Sequence, residues 1–141
     1  MGRISGPLLD RIDMYIDVPG VRVQDLTSAP VGESSEIVRR RVVQARNVQR
    51  ERFNGYKHLF KNADMSGKDI ERVCMLDERG ASILQQAMVK LGLSARAYDR
   101  ILKVSRTIAD LSESTSIEAA HVAEAVQYRS LDRSIWMGAH P

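Results

Sequence analysis

At 141 residues and 15.8 kDa the chain suits one domain better than two. Its 43% apolar and 28% charged residues, with a mild net charge of +3, describe a folded polypeptide that permits a polyanionic partner without demanding one, and only 5% aromatics favours helices over an aromatic-rich β-sandwich. No run approaches the roughly 18–20 apolar residues of a membrane helix, Met1–Pro7 carry no apolar signal region, and the single cysteine, Cys74, permits no internal disulfide, so the expectation is a reducing, cytoplasmic setting with no membrane partner.

Residues 12–18 (Ile-Asp-Met-Tyr-Ile-Asp-Val) alternate apolar and polar, which predicts a half-buried strand ended by Pro19-Gly20. No second strand is predicted anywhere in the chain. A lone strand leaves its ladder groups unpaired, so its sheet is expected outside this chain, which then reads as a piece of a longer protein. Residues 20–32, with Gly20, Pro30 and Gly32, read as a linker.

Helices are predicted from there on. Gly32 to Phe53 lacks internal glycine or proline, has Glu33 and Glu36 at the positive end and Arg50 and Arg52 at the negative end, and offers Val38, Val42, Ala45 and Val48 as an apolar stripe. Residues 54–65 are a loop opened by Asn54-Gly55. Ser66 caps a short helix reaching about Cys74, with Asp69 in the capping-box position. Asp77 caps the next, whose stripe is Ile83, Leu84, Ala87, Met88 and Leu91, and Gly92 stops it. Ser94 opens a longer helix with Tyr98, Ile101, Leu102, Ser105, Ile108 and Leu111 inward. Thr115-x-x-Glu118 reads as a capping box for a last helix near 117–129 that buries Val122, Ala125 and Val126. From Ser130 onward no usable period remains. The expected fold is mainly α: one strand followed by about five helices.

Several chemistries are missing. There is no G-x-x-x-x-G-K-[ST] phosphate loop, and no apolar run ends in paired acids. His121, with Glu118 and Glu124 nearby, is better read as part of a polar helix face than as a metal site, so no metal ligands are assigned. Asp13 and Asp17 share one face of the predicted strand and read as solvent-facing positions. Cys74 reads as a buried, inert thiol. Acting alone, the chain is not expected to catalyse a reaction.

Two segments carry a resemblance. Gly2 to Pro19, above all Pro7-Leu8-Leu9-Asp10-Arg11-Ile12-Asp13, resembles the end of the core domain of magnesium-chelatase-type AAA+ ATPases; Gly92 to Leu111, above all Leu93-Ser94-Ala95-Arg96, resembles their helical lid. Gly32-Glu33-Ser34-Ser35 and Tyr128-Arg129-Ser130-Leu131-Asp132-Arg133 are similar to the bacterial, competence-associated branch of ComM/YifB type, related to chelatase subunit I. The resemblance implies residues 1–19 as the end of the AAA+ core, 20–32 as linker, 33–133 as helical lid and 134–141 as tail. It also implies Arg11 as the arginine finger reaching the γ-phosphate held by a neighbouring subunit, and Arg96 as the second sensor of the nucleotide. ATP and Mg²⁺ would belong to the full-length protein, with none expected on this piece alone. The implied partners are its own missing core, neighbouring subunits of a homo-oligomeric ring, hexameric in such families, and DNA undergoing helicase-like branch migration during natural transformation. Guanidinium groups suit the first two roles because they stay charged and donate a bidentate fork to phosphate oxygens.

Arg39, Arg46 and Arg50 fall within about 40° on the first helix and form a positive ridge that offers DNA contacts. The competing readings are a stand-alone helical DNA-binding module, with 78–91 and 94–111 as a helix-turn-helix-like pair, and a protein-interaction module.

Overall fold

The computed structural model describes residues 11–20 and 32–137, with the backbone alone for 130–137. The expected residues 1–10 of the core end, nearly all of the linker (21–31) and the last four tail residues (138–141) lie outside the described residues. Five helices are present among those described: α1 (Ser35–Arg52), α2 (Gly67–Val73), α3 (Glu78–Leu91), α4 (Ala95–Leu111) and α5 (Ala119–Met137), with a 3₁₀ turn at Asn62–Asp64. The chain is mainly helical, as its composition and periodicity predict.

Local sequence sets most of the boundaries. Ser34 accepts from the Ile37 amide, Asp77 from Gly80, and Ser94 from Ala97 at 3.2 Å, each satisfying one of the amides a helix start leaves orphaned. At α2 the Asp69 carboxylate accepts from both the Ser66 amide (2.9 Å) and hydroxyl (2.6 Å), the predicted box. Gly92 ends α3 in the left-handed region at φ 53°, where a side chain would be strained. Only Leu93 and Ser94 then separate it from α4.

α4 is the centre of the bundle. It packs against α1, α2, the 3₁₀ turn and α5, while α3 rests on α5. Ile101, Ser105 and Ala109 on α4 and Val122 on α5 are fully excluded from solvent, and Leu84 of α3 and Ala125 of α5 are nearly so. Phe53, Leu59, Met65, Ile70 and Cys74 close the core from the loop and α2. A parallel bridge, Leu76 to Ile117, ties the α2–α3 junction to the α4–α5 loop.

Five details depart from the sequence reading. Residues 12–18 pair with no strand among the described residues, and Ile12, Met14, Ile16 and Val18, predicted to be half-buried, stand exposed, Val18 at 81%. Alternation marks a segment that can line a sheet; without a neighbouring strand it has no ladder to join. On α1, Val38, Val42 and Val48 are exposed, and the buried positions are Ala45 and Gln49: the first half of the helix, with Val38 and Val42, buries no residue, and Val48 lies to one side of the face that Ala45 and Gln49 bury. Tyr98 and Leu111, each 41% exposed, sit at the edge of the buried face of α4 rather than within it. The Thr115 box does not form: α5 begins at Ala119, and the Glu118 amide donates instead to Nδ1 of His121 at 3.0 Å. Finally, α5 continues to Met137, past residue 129 and into the stretch expected to be an irregular tail.

Candidate functional site

Arg96 is the second residue of α4. It is exposed, and it has no ion-pair or hydrogen-bond partner among the described residues. Ser94 satisfies the Ala97 amide, and the amides of Ala95 and Arg96 are left without intrahelical partners by the helix start itself. Arg96 therefore stands where the helix dipole and the orphan donors add a positive field.

It lines a groove of about 520 Å³ between α4, α5 and the segment around residue 13, together with Asp13, Met14, Arg100, Thr107 and Tyr128. The segment is strapped across the helices by three contacts. Arg100 donates to the Asp13 carboxylate, the Tyr15 amide donates to the Tyr128 carbonyl at 2.9 Å, and Arg129 donates through Nη1 to the Ile12 carbonyl. The Arg129 guanidinium also lies 5.5 Å from the centre of the Tyr15 ring, a cation–π distance. Arg129 is 3% exposed, so its stem fills space while its head fixes the backbone next to Arg11. Its Nε is buried without a partner among the described residues.

Arg11 itself is exposed at a turn, with no partner among the described residues. The strap thus brings the segment carrying Arg11 next to the helix carrying Arg96: Asp13 is two residues from the first arginine, and its partner Arg100 is one helical turn from the second. Arg39, Arg46 and Arg50 lie elsewhere, exposed along α1 and likewise without partners among the described residues, whereas neighbouring Arg40 and Arg41 pair with Glu36 and Glu33.

Behind this surface is a buried charge cluster that the sequence did not reveal. The Asp110 carboxylate, at zero exposure, accepts from both Nη atoms of Arg52 (Nη1 at 2.8 Å), from Nε of Arg106 (3.1 Å) and from Nδ2 of Asn62 (2.8 Å). Arg106 also donates to the Ser114 and Thr115 carbonyls at 2.7 and 3.0 Å, closing the end of α4. Asn62 is locked in turn by Arg52, Thr107 and Gln49. Arg106 and Asp110 stand one helical turn apart, a visible signal; Arg52 is 58 residues away from Asp110, and nothing local announces it.

His121 is occupied by its cap to Glu118, and no group of three or more potential metal-ligating residues exists among the described residues. No helix among them is long and apolar enough to cross a membrane. The Cys74 thiol is buried, and burial pushes its pKa up to about 11, which leaves it a poor nucleophile at neutral pH.

The family model described as magnesium chelatase, subunit ChlI C-terminal, matches residues 32–129, from just before α1 to the arginine that pins the strap. The chain belongs to that family. Among curated relatives of this magnesium-chelatase C-terminal family, the chain is 46% identical over 134 residues to competence protein ComM of Haemophilus influenzae, covering 94% of this chain and 25% of that protein. It is 42% identical over 137 residues to the uncharacterised protein YifB of Salmonella typhimurium, covering 94% and 26% respectively, and 41% identical over 134 residues to YifB of Escherichia coli, covering the same two shares. The chain spans about a quarter of the length of these magnesium-chelatase-like relatives.

Proposed function

We propose that this chain is the nucleotide-responsive helical end of a longer, ring-forming AAA+ ATPase that remodels DNA, with Arg11 and Arg96 as its contributions to the nucleotide sites. The observation that carries the reading is the position of Arg96: exposed, unpartnered among the described residues, and set in the first turn of the helix on which most of the bundle packs. An arginine kept for structure is normally tied to a carboxylate or carbonyl, as Arg52, Arg106 and Arg129 are. Arg96 and Arg11 have no such tie among the described residues. Their donors suit phosphate oxygens; no acidic cluster among the described residues suits Mg²⁺, so both the metal and the bulk of the ATP site would be held by protein outside residues 11–137.

Phosphoryl transfer asks the protein mainly for positive charge placed where it builds on the transferred group. Bound Mg·ATP supplies the phosphoryl group and the metal's share of that charge. Arg11 would meet the γ-phosphate of a neighbouring subunit, and Arg96 would report whether the site is filled. Because Asp13–Arg100 and Ile12–Arg129 hold the Arg11 segment to α4 and α5, the two guanidinium groups would move together. The exposed alternating residues Ile12 to Val18 would be covered by the strands of the core sheet.

The test is made in the parent ATPase that carries this chain. Arg11→Ala should leave nucleotide binding close to normal and cut hydrolysis by about 10³-fold or more, the range of an arginine supplied in trans. Normal turnover would end the finger assignment. Arg96→Ala should weaken nucleotide affinity or hydrolysis, and unchanged values of both would end the sensor assignment. On its own, the 141-residue chain should hydrolyse no ATP.

The exposed α1 ridge supports DNA as the substrate. Three phosphate contacts from Arg39, Arg46 and Arg50 would give a salt slope of about −2.7 on duplex DNA, and replacing all three with alanine should flatten it by that amount.

A further inference from the structure

The loop between α1 and the 3₁₀ turn takes no part in the nucleotide reading, yet it is firmly built. Phe53 at 3% exposure and Leu59 at 6% anchor its two ends in the core. Gly55, at φ 88°, makes the turn, and the Tyr56 amide donates to the Phe53 carbonyl at 3.1 Å. The Phe60 amide is held by the Asp64 carboxylate at 3.2 Å.

What this scaffold displays is unusual for a surface loop. Phe60 is 64% exposed, while Leu59 beside it is buried. Tyr56 is 41% exposed, with the Arg72 guanidinium 4.9 Å from its ring centre and donating to its hydroxyl. Lys57 and His58 are exposed and have no partner among the described residues, and Lys61 is only loosely paired with Asp64 at 3.9 Å. No acidic residue occurs between Glu51 and Asp64.

We propose that residues 56–61 are a contact site for single-stranded nucleic acid, with Tyr56 and Phe60 as platforms on which bases stack and Lys57 and Lys61 as phosphate contacts. The proposal deepens the reading that the parent protein acts on DNA; it needs neither ATP nor the roles of Arg11 and Arg96. Two features favour this occupant over a protein surface. The only large apolar groups the loop offers are flat rings, and the interleaved charge is of one sign, as a backbone-tracking groove requires. Unpaired bases are favoured over duplex because a ring can stack only on a base that has left its pair. The ring–guanidinium stack at Tyr56 holds that ring at a fixed angle before any base arrives, which reduces the ordering lost on binding.

Fluorescence anisotropy of the 141-residue chain against a labelled oligothymidylate of about 20 nucleotides tests this, with circular dichroism checking that each variant keeps its helices. Phe60→Ala should bind about tenfold more weakly at fixed salt with the salt slope unchanged. Phe60→Trp should retain binding, whereas Phe60→Leu, apolar but without a ring, should be as weak as the alanine variant. The Lys57→Ala, Lys61→Ala double variant should flatten the salt slope by about 1.4. Wild-type affinity in Phe60→Leu, or equal affinity for a duplex of the same length, overturns the stacking site. Binding lost only when Arg39, Arg46 and Arg50 are replaced overturns the loop while sparing the wider DNA reading. A chain that binds neither single strand nor duplex overturns the loop site, and a parent ATPase that binds neither overturns the wider DNA reading as well.

Discussion

The strongest stability prediction concerns Asp110. Its carboxylate has no solvent exposure and is the counter-charge shared by Arg106, 4% exposed at the side chain, and Arg52, 19% exposed. Asp110→Asn preserves the shape but removes the counter-charge of both guanidinium groups. It also turns an all-acceptor group into one whose amide nitrogen must face donors, since Asn62, Arg52 and Arg106 all donate toward this point. Breaking a buried pair by removing one partner costs about 3–5 kcal/mol, because the remaining charge stays desolvated. The partial exposure of Arg52 lets water relieve one of the two, which places the expected loss at about 4 kcal/mol. With a urea slope of about 2 kcal/mol/M for a domain of this size, the midpoint should fall by about 2 M at an unchanged slope, followed by circular dichroism. Arg52→Met should cost less, about 1–2 kcal/mol, because Arg106 still neutralises the carboxylate. A midpoint shift below about 0.5 M for Asp110→Asn, at unchanged slope, would refute the view that this cluster locks α1 and the 3₁₀ turn to α4.

Glu113 sits at φ 58°, where only glycine is unstrained, so Glu113→Gly should stabilise the chain by about 0.5–1 kcal/mol in the same urea titration. Hydrogen bonds from the Ser66 hydroxyl and amide hold the Asp69 carboxyl below the usual aspartate range. Because the folded value is depressed, this cap contributes fully above the unfolded pKa of about 4 and is lost as pH falls through the lower folded value; Asp69→Asn should remove that part of the acid dependence, and a carboxyl titration by NMR checks it. Cys74 should react with a thiol reagent at neutral pH only as fast as the chain opens, since burial raises its pKa to about 11; rapid labelling in native buffer would contradict the core packing around α2.

What the sequence made legible was local. Ser66 with Asp69, Asp77, Gly92 and Ser94 define helix ends within three or four residues of themselves, and each behaves as its chemistry dictates. The α3 stripe and the α5 residues Val122 and Ala125 were equally readable, because a 3.6 period shows which side of a helix is apolar. Whether a neighbour covers that side is a tertiary fact, which is why Val38, Val42 and Val48 look like core in the sequence and stand in solvent here. Residues 12–18 make no ladder among the described residues, in keeping with a sheet expected outside this chain: alternation describes a segment, and a ladder requires two. The Thr115 box lost to a competitor, since the Glu118 amide found the His121 ring. Of the candidate site, the motifs supplied Arg11 and Arg96, but Arg129 and Arg100, which fix the Arg11 segment beside α4, emerge only from contacts made across about 90 to 120 positions of chain. The loop at 56–61 was visible as a turn, while the outward setting of its rings was not.

The central helix carries Arg96 near one tip and Asp110 near the other, fourteen residues or about 21 Å apart along a stiff rod. The Asp110 end is bolted by two guanidinium groups and an amide, so it serves as a fulcrum. A tilt of only about 10° about that point would carry the Arg96 end, together with the segment that Asp13 ties to Arg100, by about 4 Å, more than the length of a hydrogen bond. A helix mounted in this way converts a slight reorientation of its neighbours into making or breaking one contact at its far end, as a balance beam does.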